Sequence, residues 1–154
     1  MKSTPAEIKK VLAQLDATPV CLRALAADHS PAELALARDS KTWSSQEILA
    51  HLRACSDLWT HSIYAMLAEV DPVLPDINER KYAQAARYAE VSFSEALGVF
   101  SAQRANLMRV LHGLEPEAWD RGALIFERSH TIFSQARRMA KHEAEHCEQL
   151  DALK

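Results

Sequence analysis

The chain has 154 residues, of which 48% are hydrophobic and 25% charged, and its formal net charge is −3. These are the length and proportions of one globular domain with a buried core, so residues 1–154 are interpreted as a single domain. The weak charge argues against nucleic acid or an anionic membrane as a partner, and no segment approaches the ~18 apolar residues of a membrane span.

An all-α fold is expected because glycine occurs only 3 times and strong helix formers dominate. The first predicted helix runs from about Pro5 to Asp28. Pro19 lies inside it and is expected to kink it near Thr18. Residues 30–33 combine a capping serine, a proline and a glutamate, which predicts one short helical turn in the following loop.

The second helix has the clearest start signal in the chain. Ser44 with Glu47 forms a capping-box pattern, and the helix is predicted to continue to about Val70. Residues 71–91 contain two prolines and a helical-looking piece at residues 78–88. A connection of this length indicates a crossover rather than a tight hairpin.

The third helix is predicted from Ser92 to about Gly113, followed by a turn at residues 116–119. The fourth begins near Thr131 and is predicted to reach the C-terminus. Four long amphipathic helices, with one long crossover between the second and third, predict a four-helix bundle.

Three histidines form the candidate metal site. His142 and His146 are separated by about 40° around the fourth helix and about 6 Å along it, so both rings can approach one ion. His51 borders the apolar face of the second helix, and on the fourth helix His142 borders the apolar face while His146 lies inside it. Residues 142–146 match the pattern His-Glu-x-x-His, but the chain ends before a third ligand of that protease class can follow. The competing interpretation is that the pair consists of ordinary boundary residues.

Three imidazoles with an open fourth position are typical of a catalytic rather than a structural metal site. Cys55, one turn after His51, is the candidate for a fourth ligand. Its position deeper in the apolar face favours core packing instead.

Two charged residues, Arg104 and Glu143, fall on apolar helix faces. An unpaired buried charge is costly, so a structural ion pair between them is favoured. The alternatives are that Glu143 orients a ligand imidazole, or that these faces are exposed.

Trp43 and Trp59 are interpreted as core anchors, because no basic stripe lies beside them in the sequence. Three polar residues of the crossover, Asp76, Asn78 and Glu79, either line the mouth of a site or are solvated.

Three cysteines, Cys21, Cys55 and Cys147, are an odd number and far apart in sequence. The N-terminus has no apolar stretch like that of a signal peptide. Both features favour a cytoplasmic location with reduced thiols.

The residues discussed above are similar to those of the DinB/YfiT-like superfamily. The likeness is carried by Trp43–Leu52 followed by His142-x-x-x-His146, and by Leu15–Pro19, Phe100-x-x-x-Arg104 and Leu107. It implies a four-helix bundle with an unusual connection order, a homodimer, and a divalent metal such as nickel or zinc on His51, His142 and His146.

Some members of that superfamily are transferases or isomerases that use a low-molecular-weight thiol. The resemblance therefore implies a metal-dependent thiol transferase, isomerase or hydrolase acting on a small molecule. The alternative is a non-catalytic stress-response or binding module, in which the metal is incidental or regulatory.

Overall fold

Four long helices form the bundle in the computed structural model, which describes residues 2–153. The helices are α1 (Pro5–Asp28), α2 (Pro31–Ala35), α3 (Ser45–Ala68), α4 (Glu79–Ala85), α5 (Phe93–His112) and α6 (Ile132–Ala152), of which α2 and α4 are short. The predicted bundle with its long crossover between α3 and α5 is confirmed. The last helix was predicted to reach the C-terminus. In the structure α6 ends at Ala152, and Lys154 lies outside the described residues.

The predicted capping residues set the helix starts. At α3 the Ser44 hydroxyl accepts a hydrogen bond from the Glu47 amide at 3.1 Å, and the Glu47 carboxylate accepts one from the Ser44 amide at 2.7 Å. Ser92 caps α5 and Thr131 caps α6 in the same way through their hydroxyl groups. Each cap satisfies amide groups that have no partner within the helix.

A small three-stranded sheet was not predicted from the sequence. Its strands are β1 (Val73–Leu74), β2 (Gly122–Ile125) and β3 (Arg128–Thr131), with β1 parallel and β3 antiparallel to β2. The β2–β3 turn places Phe126 and Glu127 at φ values of 49° and 62°. Because such turns usually carry glycine or asparagine, these two residues are no signal of a hairpin.

Arg121, the residue directly before β2, links the end of α3 to the start of α6. Arg121 donates hydrogen bonds to the carbonyl oxygens of Met66 at 2.8 Å and Glu69 at 3.0 Å, and its own carbonyl accepts one from the Ile132 amide at 2.9 Å. At the other end of the bundle, Leu150 of α6 packs in one cluster with Ile48 of α3. The two helices are therefore antiparallel, which brings the first turns of α3 beside the last turns of α6.

The crossover is fixed to the outer face of α3. Asp57 accepts a hydrogen bond from the Tyr88 hydroxyl and another from the Gln103 side chain at 2.6 Å. The Trp59 indole nitrogen donates to the Glu79 carboxylate at 3.3 Å. These contacts position α4 beside the central turns of α3.

The core consists of two apolar clusters with a polar layer between them. On α1, Thr18 lies between Leu15 of the larger cluster and Leu22 of the smaller. On α5, Arg104 similarly separates Leu107 from Phe100. Glu143 occupies the corresponding place on α6, between Ala140 and Leu150. None of the helices in the described part of the chain carries an apolar stretch that would span a lipid bilayer.

Arg104 and Glu143, each 2% exposed, form a bidentate ion pair in this layer. Their two N–O distances are 2.5 and 2.8 Å, and the Thr18 hydroxyl donates to the same carboxylate at 2.7 Å. Arg104 also donates to the Leu15 carbonyl at 3.0 Å. That carbonyl would normally bond to the amide at position 19, and Pro19 has none. The helix α1 continues through Pro19. The Leu15 carbonyl is left without a partner inside the helix and accepts the hydrogen bond from Arg104.

Replacing one member of this pair should be strongly destabilising. We expect Arg104→Met to lower the free energy of unfolding by about 3–5 kcal/mol, because the Glu143 carboxylate is left buried without its cation. The double variant Arg104→Met/Glu143→Leu should recover much of that loss. Urea unfolding of the two single variants and the double variant measures both effects.

Arg109→Met is the matched control, since Arg109 is on the same helix but exposed. It should change the free energy of unfolding by no more than about 0.5 kcal/mol. Additive losses in the double-mutant cycle would show that the two side chains do not depend on each other.

Candidate metal centre

The three predicted histidines lie together between α3 and α6. The Nε2 atom of His142 is 3.1 Å from that of His51 and 3.1 Å from that of His146. One ligand atom from each ring lies within 4.8 Å of the others, and no other such group of three was found in residues 2–153. The antiparallel packing of α3 and α6 produces this convergence.

The donor set fits a divalent ion. Nitrogen atoms bound about 2.0–2.1 Å from one tetrahedral ion are about 3.3 Å apart, which is close to the observed separations. The three atoms cannot satisfy one another by hydrogen bonding, because the Nε2 of His142 has either one hydrogen or one lone pair for two neighbours. A cation between the rings would satisfy all three lone pairs.

Glu143 affects the candidate metal site by fixing the orientation of α6, and not by contact with one of the three histidines. Its two carboxylate oxygens are engaged by Arg104 and Thr18, and no hydrogen bond joins it to His142 in the described part of the chain. Residues 142 and 146 are both displaced to the same side of residue 143 by about 60–100° around the helix. With Glu143 directed into the core, both imidazoles therefore face α3.

Gln149 orients one ligand and was missed by the sequence reasoning. Its side-chain oxygen accepts a hydrogen bond from Nδ1 of His146 at 2.8 Å. Because Nδ1 carries the hydrogen, Nε2 presents its lone pair to the other two rings. The i,i+3 spacing from His146 was the available signal. The corresponding Nδ1 of His142 is buried without a hydrogen-bond partner in residues 2–153.

Two tryptophan–arginine stacks flank the histidines. The Trp43 ring lies 5.2 Å from that of His51 and carries the Arg80 guanidinium at 5.2 Å from its centroid. On the other side, the Trp59 ring lies 5.0 Å from that of His142, with the guanidinium of Arg138 at 4.5 Å.

The interpretation of Trp43 and Trp59 as core anchors is therefore incomplete. Trp59 is buried and Trp43 packs against the smaller cluster, as expected. The cations beside them come from α4 and α6, which are distant in sequence, so no basic stripe was visible.

The central imidazoles are held in their neutral form. Burial, followed by the neighbouring His146 and then Arg80, lowers the pKa of His51 from 6.5 to about 4. The pKa of His142 is also lowered to about 4, mainly by burial and then by His146, His51 and Arg138. Neutral imidazoles are the form that binds metal ions, so no proton has to be displaced from these two rings at neutral pH.

Cys55 is adjacent to the site without joining it. Its sulfur lies 3.6 Å from Nε2 of His51, but it is not part of the group of ligand atoms that lie within 4.8 Å of one another. Burial, reinforced by the negative charge of Glu79, raises the pKa of the Cys55 thiol to about 12. The buried, protonated thiol packs in the larger apolar cluster, as favoured from the sequence.

The histidines open onto solvent-accessible clefts. A cleft of about 360 Å³ is lined by His51, Cys55, Trp59, Glu79, Arg138, Lys141, His142 and Glu145. Of the crossover residues considered from the sequence, Glu79 lines this cleft, Asn78 caps α4, and Asp76 lines a separate small cavity. A small molecule can therefore approach the three rings from outside the bundle.

Known structures share this architecture. The structure of YfiT from Bacillus subtilis, described as "a probable metal-dependent hydrolase with an unusual four-helix bundle topology", matches with a TM-score of 0.86. The match covers 99% of this chain and 88% of that one at 14% sequence identity, so it establishes a shared fold. A comparison with curated protein sequences gave no match.

The family assignment comes from the sequence profile together with this fold. The sequence model of the DinB superfamily matches residues 14–150, a range that contains all three histidines and the Arg104–Glu143 pair. The chain belongs to the DinB superfamily.

Proposed function

We propose that this protein is a metal-dependent enzyme that holds one divalent ion on His51, His142 and His146 and acts on a small molecule. The observation that carries the proposal is the convergence of three histidines at a solvent-accessible cleft, with Nε2 of His142 3.1 Å from that of each of the other two. Three protein ligands leave a coordination position for a reactant, as in catalytic zinc sites. The reaction is hydrolysis, or transfer or isomerisation with a small thiol.

A divalent ion with neutral ligands lowers the pKa of a bound water or thiol and so supplies a nucleophile near neutral pH. The residues of this chain would position the reactants and accept the proton. Glu79 is the half-buried carboxylate beside His51 and His142, and the Trp59 indole holds one of its oxygens. We assign Glu79 the role of proton acceptor.

The description of YfiT as a probable metal-dependent hydrolase supports hydrolysis as one of these reactions. The same coordination position accepts a thiol, so the thiol reactions need no different protein ligands. Identification of the substrate would distinguish hydrolysis from the thiol reactions.

A second candidate function is a binding module in which the metal is regulatory. One observation favours it: Glu143, which the His-Glu-x-x-His pattern would make the general base, is occupied by Arg104 and Thr18. If Glu79 does not accept a proton, the site binds a ligand without turning it over.

Metal content tests the proposal directly. Elemental analysis after incubation with zinc or nickel and removal of excess ion should find one ion per chain. His142→Ala should abolish binding, because the central ligand is lost. Retention of one ion by the triple variant His51→Ala/His142→Ala/His146→Ala would overturn the assignment. In the cobalt-substituted protein, an unchanged d–d spectrum with every small thiol at millimolar concentration would argue against the thiol reactions and leave hydrolysis or the binding module.

Gln149 should tune metal affinity through His146. We expect Gln149→Leu to weaken zinc binding about tenfold, because removal of the acceptor frees the ring to rotate and change tautomer. Gln149→Glu is the matched control and should retain the affinity, since its carboxylate accepts the same hydrogen bond. Competition with a chromophoric chelator measures the dissociation constants, and equal affinity of Gln149→Leu and the unmodified protein would contradict this role.

The metal-free protein should lose stability in acid. In the unfolded chain the histidines take up protons near pH 6.5, whereas folded His51 and His142 do so near pH 4. Because the unfolded state binds more protons between these values, the free energy of unfolding falls as pH drops from about 6.5 to 4. The double variant His51→Asn/His142→Asn should show a shallower dependence in urea unfolding with chelator present. An identical slope in both proteins would contradict the lowered pKa values.

A further inference from the structure

Another cleft, separate from the one beside His142, borders the histidines on the side of His146. It has a volume of about 530 Å³ and is lined by Lys41, Thr42, Trp43, Arg80, His146 and Gln149. This volume lies within the range of small-molecule sites, about 300–1,000 Å³. A reactant in this cleft would touch a proposed metal ligand directly.

The charge of this cleft distinguishes it from its neighbours. Two of its six lining residues are cationic and none is acidic. The neighbouring cleft of about 460 Å³ also contains Arg80 but includes Glu47 and Glu90. The cleft of about 360 Å³ beside His142 contains two acidic residues opposite its two cations. The excess of positive charge is therefore on the His146 side.

Arg80 is free to pair with a ligand. Within residues 2–153 its side chain has no ion pair and no hydrogen bond, whereas Arg87 pairs with Glu90 at 2.8 Å and Arg138 with Glu79 at 3.7 Å. Its guanidinium lies over the Trp43 ring, which restricts its position while leaving its N–H groups available. Lys41 adds a second positive charge to the lining of the same cleft.

We propose that this cleft binds an oxyanion group of the substrate, a carboxylate or a phosphate, with Arg80 as the specificity-determining residue. A planar guanidinium donates two parallel hydrogen bonds to either group, and the lysine contributes a point charge. The inference rests on the proposed function for the reacting end of the substrate, which would lie at the three histidines. The substrate class is a small anion whose reacting group is a few bonds from its charge.

The test is an NMR titration of the full chain that follows the indole N–H resonances. The probes are propionate for a carboxylate, methyl phosphate for a phosphate and propionamide as the neutral match for propionate. At least one anion should shift the Trp43 resonance saturably, with propionamide about tenfold weaker or more. The preferred anion identifies which group the cleft takes.

Arg80→Gln should weaken binding of that anion about tenfold, and Lys41→Gln less. Both residues are exposed, so neither substitution threatens the fold. Lys141→Gln is the matched control: it removes the same charge beside the histidines but in the other cleft, and binding should persist.

The titration is run on the zinc-treated and the metal-free chain. A saturable shift that is lost in Arg80→Gln supports the inference in either state. Absence of a shift with both anions, or full binding by Arg80→Gln, overturns it. Failure to bind zinc would overturn the proposed function alone, because the anion titration of the metal-free chain still reports on Arg80.

Discussion

The buried pair of Arg104 and Glu143 is the constraint on which the site depends. Two desolvated charges contribute little net stability compared with apolar side chains, but they tolerate few alternative arrangements. With Thr18 on α1 and Arg104 on α5 both bonded to Glu143, three helices are held at one level of the bundle. The rotation of α6 follows from this contact, and that rotation directs His142 and His146 to His51. A layer that separates two apolar clusters thus also orients the proposed metal ligands.

Pro19 has a place in the same arrangement. A proline inside a helix costs a hydrogen bond and leaves a carbonyl without a partner. Here the freed carbonyl of Leu15 accepts a hydrogen bond from Arg104. The hydrogen bond missing from α1 therefore leaves an acceptor for the buried guanidinium. The two terminal nitrogens of the guanidinium are thereby bonded from two helices at once, which reduces the cost of burying it.

The electrostatics of the site combine neutral ligands with cationic surroundings. Burial and the nearby Arg80 and Arg138 disfavour protonated imidazoles at His51 and His142. The same guanidinium groups lie over the tryptophan rings that flank the ligands. An ion bound here would add positive charge beside the two cations of the cleft at His146, so anionic molecules would be attracted to that side. Because the likeness to YfiT establishes the fold alone, the proposed chemistry of this chain is argued from these lining residues.

The bundle, the helix starts and the three histidines could be predicted from the sequence alone, because capping and amphipathic spacing are local properties of the chain. It also singled out Arg104 and Glu143, since a charge on an apolar face is visible on a helical wheel. The folded structure was needed to show that Glu143 bonds to Arg104 and not to His142. It also revealed a hairpin whose turn residues, Phe126 and Glu127, are unusual for their backbone conformation, and it placed cations from α4 and α6 beside tryptophans of other segments. The contacts join side chains that are far apart in sequence, and the strained turn is compensated by the surrounding fold. Neither can be predicted from the local sequence pattern.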